Sequence, residues 1–115
     1  MAQLWRNEQL AELASRALEA VPYDGQPSGR VREVPDLRTI RYYTTIGLLG
    51  RPQEMRGRTA YYGRRHLLQL VAIKRLQARG LPLVEVQKCL AAVDDKSLAR
   101  WADLPAGFVD KAVAE

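Results

Sequence analysis

The chain has 115 residues, of which 47% are hydrophobic, enough to bury one modest core. A single cysteine, Cys89, excludes an internal disulfide and fits a reducing cytoplasm. No apolar run approaches the ~20 residues that span a bilayer, and charges at Arg6, Glu8, Glu12, Arg16 and Glu19 keep the start from reading as a secretory leader, so no membrane partner is expected. The formal charge of +5 favours an anionic partner. Its distribution says more. Between Arg30 and Arg79 twelve cations face three carboxylates, a local charge of +9 that leaves −4 for the two flanks.

In chain order, Leu4, Leu10, Leu13, Ala14, Ala17, Leu18 and Val21 recur at helical spacing, with Trp5 near the start, and Pro22 ends this first helix. Residues 23–29 have the composition of a loop, and Val31 and Val34 among charges suggest a brief extended lead-in. A second helix starts at Pro35 and Asp36 and stops at Gly47. Its spacing puts Leu37, Ile40 and Thr44 towards a core and Arg38, Arg41, Tyr42 and Thr45 on the other side. That outer face carries two guanidiniums, a phenol and a hydroxyl without a carboxylate, which suits phosphates and the acceptor-rich edges of bases.

From Gly50 to Tyr62 the arginine- and glycine-rich segment reads as a small hairpin with Gly57 at its tip, Tyr62 inward and Tyr61 outward. A third helix, from about Gly63 to Arg79, carries Leu67, Leu70, Val71, Ile73, Lys74 and Leu76 as its core stripe, and Gly80 stops it. Pro82 opens a fourth, with Leu83, Val86, Leu90 and Val93 inward. The tail reads as one or two short helices around Leu98, Trp101, Phe108 and Val109, broken at Pro105 and Gly107. His66, the one histidine, stands beside Arg64 and Arg65, where a phosphate contact or a surface position fits better than a general base without a nucleophile. Cys89 suits a structural thiol, because a metal or redox site wants further cysteines or histidines. There is no phosphate-binding glycine loop, no metal-ligand set and no paired carboxylates, so neither an enzyme nor a cofactor is expected.

The run Arg38-Thr39-Ile40-Arg41-Tyr42-Tyr43, then Gly47-Leu48-Leu49, an arginine- and glycine-bearing segment closing at Tyr62, and a helix ending Arg79-Gly80-Leu81-Pro82-Leu83 with Val86, resembles the DNA-binding domain of the MerR family of transcriptional regulators. The resemblance covers about residues 34–93. It implies a mainly α winged helix-turn-helix with a small β wing and flanking N- and C-terminal helices. Residues 1–33 would be an N-terminal helix and extended loop, 34–93 the winged-helix domain, and 94–115 a short helical tail. The segment 36–46 would enter the major groove and 51–62 would form the wing. Arg41 and Tyr42 match the family's contacts in the Arg-Tyr-Tyr run, with Arg38, Thr39 and Thr45 beside them. Arg56, Arg58 and Tyr61 would meet the flanking backbone, and Arg64, Arg65 and His66 would clamp phosphates. Double-stranded DNA, RNA polymerase and a second copy of the chain, joined on DNA, are the implied partners of a cytoplasmic, nucleoid-associated regulator.

Three departures from the family pattern stand out. Ala60 occupies the place nearest the wing's usual arginine, with Arg56 and Arg58 earlier. About fifteen residues separate the first two helices instead of a tight turn. No sustained heptad follows Val93, so the chain is either a piece of a longer regulator or a compact form in which the two flanks pack on each other over the fourth helix. The alternative is an architectural or protein-interaction module of the same fold, with little sequence preference or a docked protein partner.

Overall fold

The computed structural model describes residues 4–20, 36–91, 93–104 and 108. In chain order they form α1 (Asn7–Ala20), α2 (Leu37–Thr45), β1 (Glu54–Arg56), β2 (Thr59–Tyr61), α3 (Arg64–Ala78), α4 (Leu83–Leu90) and α5 (Asp95–Ala102). This is the helix–helix–hairpin–helix–helix order of a winged helix, with one helix more at the end. The expected loop 23–29, the lead-in 30–34, Val21, Pro35 and the breaks at Pro105 and Gly107 lie outside the described residues, as does Val109.

The fold is built on α3. Ten of its fifteen residues are buried, because apolar side chains recur on nearly every side of the helix and not on one stripe. Leu67, Leu70, Val71 and Ile73 are fully enclosed together with Leu10 of α1, Ile40 of α2, Val86 of α4 and Leu98 of α5. Each such side chain stabilises the fold by about 1.5–3 kcal/mol relative to exposure. α3 stops where Gly80 takes φ +96°, a conformation that costs glycine little. In α4 Val86 is buried, and Leu83 and Leu90 lie half-buried against the core as their spacing predicts; Val93, expected on the same helix, lies beyond its end and is half-buried against the core too.

The two flanks depart from expectation. α1 and α5 each pack along α3, and α1 also lies against α2, whereas the sequence suggested flanks paired with each other over α4. The reason lies on α3, at a buried cation. The Arg75 guanidinium, 5% exposed, donates from Nε to the Ala102 carbonyl at 2.6 Å and from Nη2 to the Ala17 carbonyl at 3.3 Å. Both acceptors lie in the last turns of their helices, where carbonyls have no intrahelical donor. One side chain thus caps two helix C-termini. At its other end α5 is capped by Asp94, whose carboxylate accepts the Ser97 N–H at 2.7 Å.

β1 and β2 pair antiparallel, with Glu54 opposite Tyr61, Met55 opposite Ala60 and Arg56 opposite Thr59. Gly57 sits in the turn at φ +62°, as expected of the tip. Just past β2, Tyr62 and Trp5 exchange backbone hydrogen bonds of 2.7 and 2.8 Å, so the lead-in to α1 adds a bridge to the base of the hairpin. Trp5 and Tyr62 are both buried. Among the described residues no helix is long and apolar enough to cross a membrane.

Candidate nucleic-acid interface

α2 begins where the Asp36 carboxylate accepts the Thr39 N–H at 2.8 Å. The Thr39 backbone and hydroxyl hold the Asp36 carboxyl below its usual range by stabilising the anion. The helix ends where Gly47 turns at φ +79° and the amides of Leu48 and Leu49 both reach back to the Tyr43 carbonyl, at 2.9 and 3.0 Å.

The inner face of α2 differs from the predicted stripe. Ile40 is buried and Thr44 half-buried, but Leu37 is 40% exposed and Tyr43, at 4%, takes the core position. Leu37 stands in the first turn, one turn short of the buried Ile40, whereas Tyr43 is one turn further in, over α3. There the Tyr43 hydroxyl donates to Gln77 Oε1 at 3.3 Å and Lys74 Nζ lies 5.7 Å from the ring centroid. Two amides steady the exit from α2: Gln87 Nε2 donates to the Ile46 carbonyl at 3.0 Å, and Gln69 Oε1 accepts the Gly50 N–H at 3.1 Å. Sequence reasoning passed over both glutamines, since nothing in their local pattern separates them from other polar helix positions.

The outer face presents Arg38, Arg41, Tyr42 and Thr45, all exposed, with Tyr42 at 52%, while Thr39 is half-buried. The Thr45 hydroxyl donates to the Arg41 carbonyl at 2.9 Å, which leaves its lone pairs to face outward. At the hairpin base the buried Tyr62 phenol is within reach of the Thr44 hydroxyl of α2. Burial pushes that phenol up; the Thr44 hydroxyl and Arg41 offset part of the effect.

On the hairpin, Arg56 is engaged within its own sheet. Its Nε and Nη2 each lie 2.9 Å from Glu54, and its guanidinium stacks 4.7 Å from the Tyr61 ring centroid. Tyr61 is half-buried beneath it, and Tyr62 points inward as alternation predicts. Arg58, beside Gly57 in the turn, is exposed and pairs with no carboxylate among the described residues. At the start of α3 three neighbours differ. Arg64 is exposed; Arg65 forms an ion pair with Asp95 and reaches the Val93 carbonyl at 3.4 Å.

His66, expected on the surface or on a phosphate, is buried at 7%, because as the third residue of α3 it turns inward beneath the hairpin. Its Nδ1 accepts the Gly63 N–H at 3.1 Å and its Nε2 is 2.6 Å from the Arg51 carbonyl. A capping glycine has no side chain, and here the third residue supplies the returning bond of a capping box. That empty cap was the available signal for an inward His66.

Residues 36–93, half of the chain, match the model of the MerR HTH family regulatory proteins. The chain belongs to this family. MerR proteins are DNA-binding transcription regulators, and the exposed basic face of α2 and the hairpin both lie within the matched residues. Neither a curated protein nor a solved structure matches the chain. The MerR match begins at the Asp36 cap and ends at Val93, so α1 and α5 lie outside it although both pack on its central helix. Among the described residues no three His, Cys, Asp or Glu side chains cluster to hold a metal, and Cys89 is half-buried against the core.

Proposed function

We propose that this MerR protein is a sequence-specific regulator that reads double-stranded DNA with α2 in the major groove and sets the hairpin on the flanking backbone. The observation that carries the reading is the outer face of α2 within the family match, where Arg38, Arg41, Tyr42 and Thr45 are exposed together without an intervening carboxylate. Arginine forks fit the two acceptors of guanine, and a threonine side chain can meet either a base edge or a thymine methyl. Thr39, half-buried and tied to the cap by its amide, contributes at the edge of that face. Arg58 and Arg64 are exposed and pair with no carboxylate among the described residues, so they are available to phosphates. Arg56, with Tyr61 beneath it, must first leave Glu54, and Arg65 must leave Asp95. A second copy, joined on the DNA, would present the same surface to a near-palindromic site, and RNA polymerase would engage the resulting complex.

The experiment is a selection of bound duplexes from a random pool, followed by titration of the selected and random sequences at matched salt. Sequence-specific regulation predicts a preference of about a thousandfold or more. Equal affinity for both pools would replace it with an architectural role.

A further inference from the structure

The joint between α3 and the hairpin has its own chemistry. The Gly63 amide can only donate, so the His66 Nδ1 facing it must be an unprotonated acceptor. The Arg51 carbonyl can only accept, so Nε2 must carry the proton. Both bonds are satisfied by the neutral Nε2–H ring and by no other state. A second proton on the ring would set two donors against each other across the Gly63 contact. Arg51 leads into β1, and Gly63 follows β2 and caps α3, so the ring ties both strands' ends to the helix. Tyr62 meets the imidazole edge-on at 5.2 Å between centroids.

We propose that neutral His66 is the positioning residue that sets the hairpin on α3, and that protonating its ring releases the hairpin and weakens DNA binding. This rests on the DNA-binding reading above. From the segment before β1 the ring faces the backbone of Gly50 and Arg51, from the end of β2 the Tyr62 phenol ring, and from its own helix the Arg65 guanidinium. Among the described residues no carboxylate acts on it to compensate an added charge. Burial, then the Arg65 cation, holds the ring below its ordinary value, against the pull of the carbonyls.

The sign distinguishes this role from a phosphate clamp. A histidine that pairs with phosphate binds DNA more tightly as pH falls, because the cation is the binding form. A positioning histidine that must stay neutral does the opposite, by at most about tenfold per pH unit for one coupled proton. The test is the affinity of the full chain for its selected duplex between about pH 5.5 and 7.5, with His66→Gln and His66→Ala measured beside it. Glutamine can keep the donor to Arg51 but cannot titrate. The wild type should weaken towards low pH, His66→Ala should bind weakly throughout, and His66→Gln should recover part of that loss and lose the His66-linked slope. An affinity that rises as pH falls, or a slope unchanged in His66→Gln, overturns the proposal. Because His66 is the one histidine, long-range nitrogen–proton NMR of the free protein reads its tautomer without DNA and without a variant that must fold. An Nδ1–H ring, or titration above the ordinary value near about 6.5, overturns it too. The expected tautomer in a protein that binds no duplex would instead refute the DNA-binding reading.

Discussion

At the scale of single residues, burial separates cations that look alike in sequence. Arg38, Arg41, Arg58 and Arg64 are exposed, Arg56 and Arg65 are held by Glu54 and Asp95, and Arg75 is enclosed. Arg41→Ala should lower affinity and relax the preference at one or two base pairs by about 1–3 kcal/mol if it reads a base. Arg58→Ala should weaken selected and random duplexes alike. Affinity measurements on single-base variants of the selected site check both; loss of non-specific affinity alone in both variants would remove α2 from the groove. The exposed arginines were legible because α2 has clear punctuation and an even spacing. Arg75 was not, since its acceptors are carbonyls of helices remote in sequence and no local pattern encodes them.

At the scale of elements, legibility followed the backbone-permissive residues. Gly47, Gly57 and Gly80 all take positive φ at the stops and turn read from the sequence, and Asp36 caps α2 where expected. The partners of the flanking helices were not legible, because an amphipathic stripe tells which face is buried and not against what. Arg75 supplies that missing information and gives a prediction. Arg75→Met keeps much of the apolar stem but leaves the Ala17 and Ala102 carbonyls without their donor, at a cost of about 1–3 kcal/mol for each that stays buried. Thermal unfolding should show a lower Tm, and hydrogen exchange should be faster in both α1 and α5. Faster exchange in one of the two helices alone would argue against a shared cap. The caps at Asp36 and Asp94 act in a different range of pH. Their carboxyls lie below the usual value in the folded chain, so their contribution is present above the unfolded value and fades as pH falls through the folded one.

At the scale of the whole molecule, the basic middle and acidic flanks set the long-range behaviour. If the central arginines neutralise phosphates, log affinity should fall linearly with log salt, with a slope of about −0.9 per phosphate contacted. A binding constant indifferent to salt would remove the electrostatic basis of the reading. Assembly is a separate matter. Trp101 and Phe108 are half-buried against the chain's own core, so the flanks spend their apolar surface within the monomer. Sedimentation at micromolar concentration should therefore give a monomer or a weak dimer without DNA. A tight dimer would place the contact on other surfaces, and Trp101→Ala should then cost stability without splitting it.

The bridge between Trp5 and Tyr62 also governs the order in which the parts of a growing chain can come together. α1 leaves the ribosome before the hairpin and α3, yet the strand end that pairs with its lead-in and the guanidinium that holds its last turn are made much later. At about 5–20 residues added per second, the face of α1 that packs on α3 waits for seconds before α3 is made. Until α3 emerges, Leu10 and Leu13 are open to any holding chaperone or to a neighbouring nascent chain. α1, made before α3, is thus fully sheltered only once α3 has followed it.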